Sequence, residues 1–291
     1  MRQTLFTVFG YAFHAYPVMI SIAFVTCTLL AVREADKRRL FLPPEAGLFV
    51  FIGALIGARA FYIIQYERIR DVWLALFFWQ AGLVFYGGLI GGTITAYLCA
   101  RFYRLPPLRT ADIVVPYLAL GEAITRIGCF LNGCCFGMPT QMPWGVRFPA
   151  GSYPFWKQVL DKLIPENAPC SLPVHPTQLY MTLGLVLFAF PLLKASLKRT
   201  VFDGQTALLY GVLYGIVRFT VEIFRGESAR SVFGMTVSQT ISLVLLIFSG
   251  ALILILYRWT TVEPRDAARQ EGSSDPLPPN SEVEPNPPSS D

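Results

Sequence analysis

Seven apolar stretches, each near the length of a membrane-spanning helix, set the strongest limit on what this chain can fold into. They cover about residues 16–32, 46–64, 82–103, 111–131, 177–194, 204–224 and 236–257. A hydrocarbon core of roughly 30 Å takes about 20 such residues per helix. The composition agrees: 54% of the 291 residues are hydrophobic, only 15% are charged, and the mean hydropathy is +0.49. Soluble domains carry about 25% charged residues, so the chain is expected to be an all-α integral membrane protein, a seven-helix transmembrane bundle. The piece VWLALFFWQ at 72–80 is too short to span and reads as an interfacial segment.

The first stretch reads as a retained helix rather than a removable signal peptide. It has almost no basic leader, no small-residue cleavage site, and is followed by the charged run READKRR. Thirteen Lys and Arg residues follow the first, third, fifth and seventh stretches, against eight on the alternate segments. By the positive-inside rule the N-terminus is extracytoplasmic and the C-terminus cytoplasmic. That topology makes residues 1–259 the transmembrane domain, with an extracytoplasmic loop region at 132–176. The Pro-, Ser- and acid-rich segment 260–291 has almost nothing to bury and reads as a disordered cytoplasmic tail. The rest of the chain holds 22 Lys and Arg against 12 Asp and Glu, a net charge of +10, which suits anionic membrane lipids and offers nothing that points to nucleic acid.

Ionisable residues inside a bilayer cost about 2.5–3.5 kcal/mol each on insertion scales, so those present need a reason. The spans hold Arg59, Glu122, Arg126, Arg218 and Glu222. In the topology above these lie toward the outer leaflet, as do Tyr86 in FYGGLIGG, His14 and Tyr16 at the start of the first helix, and His175 at the start of the fifth. Glu122 and Arg126 are i,i+4 neighbours, and Arg218, Glu222 and Arg225 form an i, i+4, i+7 stripe. Two readings fit such pairs. They are self-satisfied ion pairs, or their excess of arginine holds a phosphate, whose oxygens match the guanidinium fork.

Other features carry less. The small-xxx-small pairs Gly53–Gly57, Gly87–Gly91 and Gly211–Gly215 suit close helix packing. The doubled glycines Gly87 and Gly88 also expose backbone to which a ligand can come close. Six cysteines with two histidines and no CxxC pair make a weak metal signal, so no metal and no organic cofactor is expected. Cys170 is a candidate disulfide partner if its segment is extracytoplasmic. His175, in HPTQLY, reads either as a helix cap or as a catalytic group.

HAYPVMI, FYGGLIGG, TRIGCFLNG, CCFGMPTQMPWGVRFP, HPTQLY and YGIVRFTVEIFR follow one another as they do in the prolipoprotein diacylglyceryl transferases, and from about residue 10 to 257 the chain resembles that family. The resemblance implies an inner-membrane transferase. It would move the diacylglyceryl group of phosphatidylglycerol to the lipobox cysteine thiol in the signal peptide of an exported prelipoprotein, releasing glycerol 1-phosphate. It also assigns catalytic roles to Tyr16, Arg126, Arg218 and Glu222, which match family positions, and to Tyr86, which stands where well-known members have histidine. Asn132, Gly87, Gly88, His14, His175 and Arg59 are the expected substrate-binding residues. Tyrosine, with an ordinary pKa near 10, is a weak base, so His14 and His175 stay open as alternatives. A related lipid transferase with another acceptor, or a phospholipid-binding or transport protein, would share the same outer-leaflet charges. Discontinuous helices with carboxylates at the midplane, the mark of many transporters, are not seen in the sequence.

Overall fold

A computed structural model describes residues 4–8, 11–66, 84–225, 230–232 and 234–271. The interfacial segment expected at 72–80 and most of the expected tail lie outside the described residues. Nine helices are described: α1 (Ala15–Lys37), α2 (Pro44–Tyr66), α3 (Phe85–Phe102), α4 (Pro107–Asn132), α5 (Tyr153–Leu160), α6 (Thr177–Leu183), α7 (Phe190–Lys198), α8 (Gln205–Ile223) and α9 (Val237–Glu271). A π-helical segment, Gly184–Ala189, joins α6 to α7 without a break. Two small antiparallel hairpins complete the described residues, β1 (Thr4–Val8) with β2 (Tyr11–His14), and β3 (Arg230–Val232) with β4 (Met235–Thr236).

Six stretches are long and apolar enough to cross a membrane: Ala15–Lys37, Pro44–Gln65, Pro107–Asn132, Thr177–Lys198, Gln205–Ile223 and Val237–Thr260. The remaining expected span forms as the 18-residue α3, but four glycines, two threonines and Arg101 lower its hydropathy below that of the six. The fold is therefore that of a helical membrane protein with six strongly apolar spans among the described residues.

Local sequence sets the helix ends. Pro44 and Pro107 open α2 and α4, where a missing N–H costs nothing. Gly133 closes α4 in the left-handed region, with φ of 79°. Pro116, inside α4, cannot donate to the carbonyl of Asp112. Separately, the buried Asp112 carboxylate accepts from the backbone N–H groups of Gly204 (2.7 Å) and Ala207 (2.8 Å), capping α8 from a neighbouring helix.

Helix α4 is the axis of the bundle. It packs on α1 along one side and on α6, α7 and α8 along another, while α8 packs on α9. The main core cluster joins Ala119 and Ala123 of α4 to Met181, Leu185, Ala189 and Leu193 of the α6–α7 stretch and to Val221 of α8. At the end holding the α1 C-terminus, Glu34 is buried and accepts from Lys194 Nζ (2.7 Å), Tyr117 OH (2.9 Å) and Arg38 Nε (3.1 Å). READKRR thus contributes two buried residues, Glu34 and Ala35, from what reads in sequence as a solvated charge run.

The α2–α3 pair is separate in character. A Cβ on Gly57 would meet the Gly87 carbonyl and, at 2.8 Å, the Gly91 Cα; one on Gly87 would meet the Gly57 carbonyl and Phe61. The two backbones are in direct contact, as small-xxx-small spacing allows. This pair meets the rest of the bundle only sparingly.

Candidate active site

The end of α4 brings Arg126 to the end of the bundle where α1 and α6 begin and α8 finishes. A Cβ on Gly128 would lie 2.9 Å from Met19 and 3.5 Å from the Tyr16 Cα, so α1 starts directly against the last turns of α4. The Tyr16 phenol feels the charge of Arg126. Arg126 pairs with Glu122 at 3.0 Å, and Tyr210 OH donates to the other oxygen of that carboxylate at 3.4 Å.

Helix α8 supplies the opposing wall. The Glu222 side chain is fully buried and holds two guanidiniums, Arg218 at 3.0 Å and Arg225 at 3.6 Å. Thr236 Oγ1 donates to its second oxygen at 3.3 Å. Arg218 also donates to Ser238 Oγ at 3.0 Å, which ties α8 to the start of α9.

Arg126, Arg218 and Arg225 line one pocket, together with Cys135, Thr177 and Gln178. Its formal charge is set by three guanidiniums against two carboxylates, a surplus of one positive charge in a low-dielectric setting. Gln178 Oε1 and Arg225 Nε are buried and have no hydrogen-bond partner among the protein's own described groups. Leaving such groups unmet costs about 1–3 kcal/mol each, so they are natural contacts for a ligand. The Arg225 Nε–H suits an oxygen of a bound anion, whereas Gln178 Oε1 accepts and calls for a donor such as a hydroxyl.

The loop between α4 and α6 is pinned over this end. Gln178 Nε2 donates to the Cys134 carbonyl at 2.6 Å, and Thr177 Oγ1 to the Cys135 carbonyl at 2.7 Å. Backbone bonds link Gly137 N to His175 O, His175 N to Met138 O, and Met138 N to Phe224 O. A Cβ on Gly137 would meet the Phe224 carbonyl at 2.5 Å and His175 at 2.7 Å, so only glycine fits there.

The expected site residues divide into two groups. Arg126 and Arg218 line the pocket, Glu222 holds Arg218 and Arg225, and Tyr16 stands beside the pocket. Tyr86, half exposed at the start of α3, is close enough to Tyr214 of α8 to interact with it electrostatically. Asn132 is the last residue of α4, beside the Cys134 thiol. His14 is exposed at the N-cap of α1 and makes no capping bond with its side chain.

His175 does not cap α6 either. Its Nδ1 lies 3.0 Å from Tyr180 OH, which accepts from Trp144 Nε1 at 2.7 Å, and its ring packs 5.1 Å from that of Phe224. Burial lowers its pKa, which favours the neutral imidazole. Arg59 is buried on α2 with its guanidinium 5.3 Å from the Tyr62 ring centre. Gly87 faces Gly57, and Gly88 faces Ala54 and Ala58. These three belong to the α2–α3 pair and are not among the pocket's lining. All six cysteines are free thiols, Cys170 included. Gln178 and Thr177 are pocket residues that the sequence reading passed over. The available signal was a glutamine in the first turn of an apolar helix, where an exposed amide would gain nothing from lipid.

These features define a multi-pass helical membrane protein with a cationic pocket at one end of its bundle. The chain belongs to the prolipoprotein diacylglyceryl transferase family, whose profile matches residues 3–256. A phosphatidylglycerol–prolipoprotein diacylglyceryl transferase of Clostridium tetani is 35% identical over 253 residues, covering 85% of this chain and 94% of the relative. A second enzyme of that name, from Clostridium perfringens, is 32% identical over 266 residues, covering 87% and 94% respectively. The Pasteurella multocida enzyme is 31% identical over 256 residues, covering 84% and 87%.

Proposed function

We propose that this chain transfers the diacylglyceryl group of phosphatidylglycerol to the lipobox cysteine thiol in a prelipoprotein signal peptide. The observation that carries the reading is the convergence of Arg126, Arg218 and Arg225 on one pocket with only two carboxylates between them. In the transfer, the thiol sulfur bonds to the terminal glyceryl carbon and that carbon's bond to the phosphate oxygen breaks. The electron pair leaves on glycerol 1-phosphate, and the thiol proton passes to a base. Guanidiniums aimed at the phosphate stabilise the charge that builds on the departing oxygen. Glu222 is a positioning residue, since it fixes Arg218 and Arg225 and is itself out of reach of solvent. Tyr16 lies near Arg126 and Tyr86 near Tyr214 of α8, and in this reading the phenol of Tyr86 relays the proton or bonds the lipid. The activated bond is already present in the lipid, so the chemistry calls for no organic cofactor.

The same reading assigns an orientation. The pocket faces the outer leaflet of the bacterial inner membrane, α3 counts as a seventh span, the N-terminus is extracytoplasmic and the C-terminus cytoplasmic. Support comes from the surplus of basic residues on alternate segments. A reporter active only outside the cytoplasm would be active when fused within 150–165 and silent after Tyr257; the reverse pattern contradicts the orientation.

The function is tested by complementation. Expressed in a strain depleted of its own diacylglyceryl transferase, the chain is expected to restore growth and lipid modification of a reporter prelipoprotein. A protein that is inserted and abundant yet leaves the reporter unmodified would contradict it.

A further inference from the structure

We propose that Cys129, Cys134 and Cys135 form a three-thiolate site for one divalent, thiophilic cation of the zinc type, beside the arginine pocket. The three sulfur atoms lie within 4.8 Å of one another. An ion bound at about 2.3 Å to each of three sulfurs sets them roughly 4 Å apart, so side-chain shifts of under about 1 Å close the site. No backbone rearrangement is needed.

Backbone geometry explains the convergence only in part. The Gly133 N–H donates to the Phe130 carbonyl (3.2 Å) and the Cys134 N–H to the Cys129 carbonyl (3.1 Å), the two bonds of a Schellman turn. That turn ordinarily brings two side chains together, here Cys129 and Cys134. It does not call for the third. Cys135 joins them from the left-handed region, with φ of 59°, a conformation that costs a residue with a Cβ about 1 kcal/mol or more. Thr177 and Gln178 hold that turn by its carbonyls. A strained cysteine, fixed from outside, completes the triad.

Charge selects the class of ion. Three thiolates around a divalent cation carry a net charge of one minus, the smaller charge to hold away from water. A monovalent ion would leave two negative charges on the same thiolates. Binding involves no change of oxidation state: the cation replaces the remaining thiol protons, which pass to solvent. The ion would tie the end of α4 to the loop above it, and the site stands whether or not the transferase reading does.

The test uses the full-length protein in detergent, reduced with a phosphine, stripped with a chelator and titrated with Co²⁺. The expected result is one Co²⁺ per chain with thiolate-to-cobalt charge-transfer absorption, displaced by one equivalent of Zn²⁺. Cys170→Ser should bind as the wild type does. Cys135→Ser should weaken binding at least tenfold, and the triple variant Cys129→Ser, Cys134→Ala, Cys135→Ala should abolish the band, with helicity checked by circular dichroism. Wild-type protein that is reduced and folded but gives no thiolate band overturns the proposal. So does an undiminished band in the folded triple variant.

Discussion

The α2–α3 pair and the α4–α6–α8 wall solve the same problem, helix association where water is scarce, by opposite means. In the first, glycines bring two backbones into contact and polar groups are few; Arg59 turns its guanidinium to an aromatic neighbour. In the second, charged side chains are buried and joined into ion pairs, and the surplus positive charge is left facing a pocket. Shape complementarity is tolerant of charge but not of added volume. A buried ionic network is tolerant of neither a lost charge nor a changed fork. The two regions should therefore fail differently when mutated.

The largest effect on stability is expected at Glu222→Gln. It removes the one carboxylate between Arg218 and Arg225 and leaves two like charges buried, a change on the scale of about 3–5 kcal/mol. Reduced yield and a lowered thermal transition in detergent would report it; an unchanged transition would mean the network is solvated and the wall is not as described. Tyr86→Phe tests where the two regions meet. It keeps the ring and removes the hydroxyl, and transfer should fall by about 100-fold with no loss of folded protein, if the phenol acts on lipid or proton. Unaltered turnover would confine Tyr86 to packing.

Gly57→Ala tests the other region. The new methyl meets backbone atoms of Gly87 and Gly91, which cannot move aside as a side chain would. A loss of about 1–3 kcal/mol follows from overpacking, again read from the thermal transition. The smallest effect should come from Tyr180→Phe, which breaks the links to His175 and Trp144 for about 1–2 kcal/mol.

The same contrast explains what was legible in the sequence. Apolar stretches announced the spans, since length and hydropathy alone decide whether a helix can cross lipid. Gly53, Gly57, Gly87 and Gly91 announced a close pair by spacing, although only the structure shows that they meet each other. Arg126, Arg218 and Glu222 stood out because a charge inside a span is costly. Gln178 and Thr177 did not, being uncharged polar residues at a helix start, where such residues are common. Glu34 was hidden for the opposite reason, since it lies in a run of charges and nothing local distinguishes the one that is buried. The thiol triad could not be read because CxxC spacing was absent. A Schellman turn and one left-handed residue achieved what spacing did not suggest.

The central claim is that the pocket's guanidiniums hold a lipid phosphate during transfer. It is tested most directly by Arg126→Lys, assayed as transfer from labelled phosphatidylglycerol to a lipobox peptide in detergent, with the amount of folded protein held equal. An ammonium keeps the charge and the pairing with Glu122 but loses the planar fork. The account predicts a fall of at least about 100-fold in transfer, on the scale seen when one oriented donor to a developing oxyanion is removed. Turnover within a few-fold of the unaltered protein would contradict it and leave Arg126 a partner of Glu122 and nothing more.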